Sequence, residues 1–364
     1  MVRAAVMHEV GSPLELETIS VAAPRGREVL VRPAAAGICH SDLLFLDGLW
    51  PHPLPTILGH EVAGVVEAIG PEVSSVGIGD HVLGCAGGGC HECPYCVMGR
   101  PIICINRNHD RSPAEEQRLR LADGTPVVQY GQLSAFSEMM LVHEHAVVKI
   151  DADIDLQLAS IVGCGVATGL GAVFNTARVP VGATVVVTGV GGVGLNAVQG
   201  ARIAGASQII AIDITPGKLD FARALGATAV VDASSTYAAD AVRELTNGGA
   251  DFVFETSGVP VVAESCADMV GNGGTIVLVG IPSKEATVAI RPADLIPREI
   301  AILTSHVGSL RPTVDLPRYI TLAKQGLVQL EPLVSQRFPL AEINDGFAVM
   351  PSGSTARSIV VFDT

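Results

Sequence analysis

The sequence predicts an α/β fold in two parts, a β-rich region followed by a doubly wound parallel sheet. Three observations predict it. Short strand-like runs ended by Gly and Pro fill the first half. From about residue 165, continuous Val/Ile strands alternate with helical stretches, the pattern of strands covered on both faces. A glycine-rich turn then joins the first of these strands to its helix.

Taken in order, Glu28-Val29-Leu30-Val31-Arg32-Pro33 and the run from Glu61 to Gly70 are strands of the first part. In the second part Thr184 to Thr188 is a buried strand and Leu195 to Ala204 a helix. Gln208 to Asp213 is the next strand, Lys218 to Leu225 the next helix, and Ala229 to Val231 a third strand. Ala250 to Glu255 and Thr275 to Gly280 continue the series. The polar, charged stretch from Asn106 to Arg120 reads as a surface excursion, and its arginines as solvated. There is no internal repeat and no low-complexity linker.

A chain of 364 residues fits two domains, and 48 % hydrophobic against 16 % charged residues allows a large core. Acidic residues outnumber basic ones by 37 to 23, a formal charge of −14, which excludes gripping nucleic acid or an anionic membrane through general electrostatics. Every long apolar run is cut by Gly or a charge short of the ~20 residues a membrane span needs. The N-terminus becomes charged too early for a secretory signal. The expectation is a soluble, cytoplasmic protein with neither nucleic acid nor membrane as partner.

The turn Gly189-Val190-Gly191-Gly192-Val193-Gly194 follows a strand and opens a helix, where its glycines permit close approach of a pyrophosphate to backbone N–H groups. Asp213 ends the next strand, placed to accept the hydroxyls of a ribose and to repel a 2′-phosphate, which favours NAD over NADP; Lys218 stands beside the same ribose. The bland alternative is a structural glycine turn with a solvated Asp.

Of eight cysteines, four crowd together as Cys90-x2-Cys93-x2-Cys96-x7-Cys104. Such a set can wrap a tetrahedral Zn2+ and leaves no open position, so the ion is structural. An iron–sulfur cluster or a redox dithiol are the rivals, and the spacing matches neither common ferredoxin run. Cys85, just outside the set, reads as a small buried residue. Three further segments carry Cys39, His60 and Cys164. Each alone reads as a buried Cys or a loop His, and spacing does not show that they converge. Together they would make a three-ligand zinc set with a vacant fourth position, which is what catalysis needs.

These segments, the four-cysteine loop and the glycine turn occur in the order found in zinc-containing medium-chain alcohol dehydrogenases. The resemblance extends from Gly59-His60-Glu61 to the tail Gly353-Ser354-Thr355-Ala356-Arg357-Ser358-Ile359. It implies a GroES-like β-rich catalytic domain of residues 1–165, completed by 307–364, and a Rossmann NAD-binding domain of residues 166–306. It implies two zinc ions per chain, NAD, a small alcohol or aldehyde substrate, and a homodimer or homotetramer joined through the Rossmann sheets. The long segment between Cys104 and Phe136 resembles one kept by dimeric relatives.

The same resemblance implies roles residue by residue. Cys39, His60 and Cys164 match the catalytic zinc ligands, Asp42 the carboxylate that orients the zinc histidine, and Glu61 a residue near the metal. Ser41 matches the hydroxyl that receives the alcohol proton. In many relatives that proton continues to a histidine five positions after the first zinc Cys, but Leu44 stands there and cannot carry it. Either Ser41 delivers its proton to water or another group substitutes; His52 lies in the same loop, where its flanking prolines fit a plain surface role at least as well. His40 and Arg357 match basic residues near the cofactor pyrophosphate. Thr168, Val193, Val279, Ile281 and Val307 match positions lining the nicotinamide. Trp50, Ala86, Tyr130 and His306 match the substrate pocket, and the small Ala86, where an aromatic often stands, implies room for a bulky or aromatic primary alcohol. The alternatives are a thiol-dependent formaldehyde dehydrogenase, with Arg107, Arg111, Arg118 and Arg120 as candidate grips for the thiol's carboxylates, and a dehydrogenase that keeps tightly bound NAD(H) and uses an external acceptor.

Overall fold

The structure is a computed structural model that describes residues 1–107, 109–112, 114–350 and 356–363. The chain forms two compact units, Met1–Cys164 with Arg311–Thr364, and Gly165–Leu310.

The first unit is built on two sheets. Its larger sheet runs in the order Val147–Lys149, His81–Gly84, Glu61–Ile69, Glu28–Ile38, Arg357–Val361 and Val334–Pro339, with Met140–His143 also paired to Glu28–Ile38. The smaller runs Leu119–Leu121, Glu15–Val21, Val2–Met7, Thr56–Ile57 and Val128–Gln129. Ile19, Val29, Ile57, Leu58, Val62, Leu133 and Phe136, all fully buried, belong to the core of this unit. The long strand Glu28–Ile38 is its spine, and it carries the first chemistry. Gly37 pairs with Glu61, and Ser358 of the returning C-terminal strand pairs with Ile38. A Cβ at position 37 would collide with the Glu61 carboxylate, so glycine is the residue this close crossing admits.

The second unit is a six-stranded sheet in the order Ala229–Asp232, Gln208–Asp213, Thr184–Thr188, Ala250–Glu255, Val270–Leu278 and Ala301–Thr304. Every pairing is parallel. The order is that of a doubly wound nucleotide-binding sheet, with the strand reversal falling next to Thr184–Thr188. Val185, Val186 and Val187 are wholly buried, as their unbroken β-branched run predicts. The last strand, Ala301–Thr304, is the sheet's edge, and all four of its residues are exposed. Among the described residues no single helix is long and apolar enough to cross a membrane.

Candidate functional site

Cys39 follows the spine strand and caps the short helix His40–Leu46, so the strand–helix junction fixes three side chains at once. The backbone N–H of Cys39 donates to Asp42 Oδ2 at 3.0 Å, and the Gly59 N–H donates to Asp42 Oδ1 at 3.2 Å. That wholly buried carboxylate also lies 3.0 Å from His60 Nδ1, which leaves Nε2 as the nitrogen available for a ligand. Ser41 Oγ stands 3.1 Å from His60 Nε2 and 3.2 Å from Cys39 Sγ. Cys164 enters from the end of the single turn Ser160–Gly163. The fold thus gathers Cys39, His60, Glu61 and Cys164 so that one ligand atom from each lies within 4.8 Å of the others.

The donor set fits a divalent cation. The Cys39 thiol is held well below the ordinary thiol range, first by its hydrogen bond with Cys164 and then by the Arg357 and His60 charges, against burial. Cys164 is pushed up well above it by that same partner and by burial. The buried Cys39 sulfur and the half-buried Cys164 sulfur are thus pushed in opposite directions by one another, an arrangement that a cation able to hold two thiolates would relieve. Burial alone would lower the His60 imidazole, and the Asp42 and Cys39 charges outweigh it and raise it.

Glu61 faces away from solvent and pairs with Arg357 at 3.0 Å. Burial pushes its carboxyl up against the pull of Arg357. Arg357 also donates to the Ile38 carbonyl at 3.5 Å. The family resemblance matches Arg357 to a residue near the cofactor pyrophosphate; in this structure its guanidinium is engaged with Glu61, a partner that spacing alone could not reveal. Of the tail motif, Gly353 to Thr355 lie outside the described residues. His40 is exposed, and Leu44, at the position where a proton carrier is expected, is buried.

Beside His60 stands an aromatic group. The Tyr130 ring centroid is 5.6 Å from that of His60 and 4.7 Å from Phe45, and Phe45 lies 6.4 Å from Trp50. Sequence reasoning passes over Phe45; an aromatic between the Asp42 turn and Trp50 was the available signal. His52 packs edge-on against both Phe45 and Tyr130. Its Nε2 and the Trp50 Nε1 are buried with no hydrogen-bond partner among the described residues, so His52 is not the plain surface residue its prolines suggest. Ala86 is exposed, and a Cβ on Gly131 would lie 3.5 Å from the Ala86 Cβ and 3.6 Å from the His60 Cβ, which puts Ala86 at the same mouth. His306 belongs to the other unit, where it is exposed.

The four-cysteine loop closes on itself. Cys90, Cys93, Cys96 and Cys104 bring their sulfurs within 4.8 Å of one another. Cys93 N–H donates to Cys90 Sγ at 3.2 Å, and the N–H groups of Cys90 and Asn106 donate to Cys104 Sγ at 3.3 Å. Backbone donors aimed at sulfur stabilise thiolate, and Cys93 is held down at about 6 by N–H groups of Cys96 and Ile105. All eight cysteines are free, and the set fits a closed zinc site. Cys85 is buried and its thiol is pushed up to about 11 by that burial, outside the cluster.

In the second unit the helix Gly192–Ala204 begins at the glycine turn. Gly189 has φ +81°, and a Cβ there would lie 2.7 Å from Ser257, so both space and conformation require glycine. Nothing stands within 4 Å of a Cβ at Gly191, which leaves the turn open on that side for a phosphate. Asp213 accepts N–H bonds from Val190 at 2.9 Å and Thr215 at 3.0 Å, so the carboxylate is locked to the turn itself. Lys218 and Val193 are half-buried, Thr168 and Val279 buried, Val307 half-buried and Ile281 half-exposed. Much of the described stretch from Asn106 to Arg120 is exposed, as a surface excursion should be, but the solvated reading of its arginines is corrected at two positions: the Arg111 and Arg118 side chains are buried against Glu28 at exposures of 5 %, because the buried Glu28 carboxylate needs counter-charges.

Comparison with known proteins agrees with this construction. Residues 25–152 match the alcohol dehydrogenase GroES-like domain, and residues 192–325 the zinc-binding dehydrogenase family. The chain is 35 % identical to the S-(hydroxymethyl)glutathione dehydrogenase of Paracoccus denitrificans, over 99 % of each. Among solved structures it resembles an alcohol dehydrogenase zinc-binding domain protein from Burkholderia ambifaria, with TM-score 0.96 and 37 % identity over 100 % of this chain and 99 % of that one. It also resembles the benzyl alcohol dehydrogenase of Acinetobacter calcoaceticus, with TM-score 0.93 and 34 % identity over 100 % and 99 %. The chain belongs to the zinc-containing medium-chain alcohol dehydrogenases, zinc-dependent oxidoreductases that bind NAD(H).

Proposed function

We propose that this enzyme oxidises a bulky or aromatic primary alcohol with NAD, reversibly, and needs no thiol co-substrate. The observation that carries the reading is the convergence of buried Cys39 and His60 with half-buried Cys164, with Asp42 bound to the far side of the His60 ring. These three residues would hold the catalytic zinc, and Cys90, Cys93, Cys96 and Cys104 a structural one. A zinc ion bound there supplies a Lewis acid that lowers the pKa of a coordinated hydroxyl.

The chain's own residues do the rest. Asp42 fixes the His60 tautomer and ring orientation. Ser41 Oγ, within hydrogen-bond reach of His60 Nε2, is the hydroxyl that takes the alcohol proton. Leu44 cannot relay it, so Ser41 passes it to water. Residues 1–164 with the C-terminal segment form the catalytic domain, and the Gly189–Gly194 turn with Asp213 and Lys218 in the other unit binds NAD in preference to NADP. Tyr130, Phe45 and Trp50 make an aromatic wall and Ala86 an open side, which supports an aromatic substrate; the likeness to a benzyl alcohol dehydrogenase supports it further.

The second reading follows from the likeness to an S-(hydroxymethyl)glutathione dehydrogenase. It is disfavoured by the arginines: Arg111 and Arg118 are engaged with Glu28, Arg107 with the Cys104 carbonyl and Arg120 with the Gly124 carbonyl. The test follows NADH formation by zinc-replete enzyme on aliphatic, terpenoid and benzylic alcohols, and on formaldehyde with glutathione. Benzylic turnover without thiol is expected; turnover confined to the glutathione adduct would overturn the reading.

A further inference from the structure

The structure carries a second group of imidazoles that neither sulfur cluster uses. His109 lies on the excursion after the four-cysteine loop, His143 ends the strand Met140–His143, and His145 sits in the single turn Glu144–Ala146. One ligand nitrogen from each lies within 4.8 Å of the others. The His109 and His143 rings stack at 4.2 Å between centroids, and His143 meets His145 at 4.5 Å. We propose that His109, His143 and His145 form a third cation site, selective for a divalent transition metal of the Zn2+, Ni2+ or Cu2+ class.

Three features of the group suit a metal. The first is its donor chemistry: three imidazoles with no carboxylate in the set favour borderline transition ions over Ca2+ or Mg2+, and they leave one position for water. The second is protonation. Burial and the neighbouring charges of His109, His145, Arg27 and Arg118 hold His143 down at about 3, and burial with His91, Arg27 and His109 holds His145 at about 4. Both rings are therefore neutral at neutral pH, the form that binds a metal. The third is a shared hydrogen-bond acceptor. The Gly89 carbonyl lies 3.3 Å from His109 Nε2 and 3.2 Å from His145 Nδ1, so one N–H of each ring can donate to it and the other nitrogen keeps its lone pair.

Loading requires small changes. In a tetrahedral site with Zn–N near 2.0–2.1 Å, ligand nitrogens stand about 3.4 Å apart, so the rings must close by roughly an ångström. Arg27 Nη2, 3.2 Å from His145 Nε2, swings aside while its Nε stays on Glu144 at 2.6 Å. The ion would tie the excursion to the sheet and, through the Gly89 carbonyl, to the approach of the four-cysteine loop.

The experiment counts metal. Zinc-replete protein, cleared of free ion, is titrated with Zn2+ by calorimetry and its content read by plasma mass spectrometry. Wild type is expected to take one equivalent beyond the two sulfur-containing sites. His109→Gln and His143→Gln, each checked for an unchanged circular dichroism spectrum, are expected to lose that equivalent and keep the other two. His109→Gln carries the test if the strand variant fails to fold. Cu2+ added to the zinc-loaded protein should give an electron paramagnetic resonance spectrum with nitrogen couplings from several imidazoles, absent in His109→Gln. A wild type that stops at two ions, or variants that still bind the extra one, overturn the site.

Discussion

The guanidinium of Arg357 lies 3.0 Å from the carboxylate of Glu61, both shut away from solvent beside Cys39, Cys164 and His60. A buried charge without its counter-charge is costly, so cutting the pair should be felt by the whole first unit. Arg357→Ala should cost roughly 3 kcal/mol. That is the low end for a broken buried pair, because a carboxyl already pushed up by burial can take a proton instead. Denaturant unfolding of the zinc-loaded protein reads this; a midpoint equal to wild type would remove the pair from the supports of the site.

A second buried carboxylate makes the fold sensitive to acid. Burial would raise the Glu28 carboxyl, but hydrogen bonds from Arg111 and Arg118 and from the Arg25 backbone outweigh it and hold it at about 2, below the ordinary 4.5. A folded-state pKa lowered in this way contributes stability that is complete above the unfolded value and disappears as pH falls through the folded one. The loss therefore runs between about pH 4.5 and pH 2. Glu28→Gln should flatten that limb of the stability–pH curve and lower stability at pH 7; an unchanged acid limb would mean that the arginines do not act through Glu28.

Why some of this was legible and some not is a matter of distance along the chain. The unbroken Val/Ile runs at Val185 to Val187 announce a parallel sheet because burial on both faces leaves no polar alternation. The glycine turn and the Cys90–Cys104 set are local, so their spacing alone suggests their chemistry. The rest depends on strand register. Arg357 reaches Ile38, 319 residues away, only because the C-terminal strand returns to pair with the spine. Arg111 and Arg118 look like solvated charges until Glu28 is placed beneath them. His109 and His143 stack through the same kind of non-local packing, which no periodicity encodes.

Cys164 contributes a sulfur from a turn rather than a strand, and serine cannot replace it as a thiolate. Cys164→Ser should lower zinc content by one ion per chain and abolish alcohol oxidation, while circular dichroism and NAD binding stay as in wild type. Alcohol oxidation at the wild-type rate with full zinc content would exclude Cys164 as a ligand.

Asp213 holds the glycine turn through two backbone N–H groups and is proposed here to take the cofactor ribose, so its loss should act twice. Charge-assisted hydrogen bonds are worth about 1.5–3 kcal/mol, which makes a rise on the order of 10- to 100-fold in KM for NAD the expected result of Asp213→Gly. With the negative charge gone, the preference for NAD over NADP should shrink. Steady-state kinetics with both cofactors would show this, and an unchanged ratio would move the ribose away from Asp213.

The edge strand Ala301–Thr304 leaves Ile302 and Leu303 each 37 % exposed on a row of unpaired backbone groups. Exposed sheet edges of this kind pair with another chain unless something blunts them, and this one has no charge, proline or bulge. Val261, Ile290 and Ile302 line one depression beside it, adding apolar surface to the same face. A second copy, edge to edge, would continue the six-stranded sheet and cover that surface. Light scattering on size-exclusion should therefore give a dimer for wild type, and Leu303→Glu, which sets like charges opposite one another at a two-fold contact, should shift it to monomer without lowering zinc content. A wild type that runs as a monomer at micromolar concentration, or a Leu303→Glu dimer as tight as wild type, would rule this edge out as the interface.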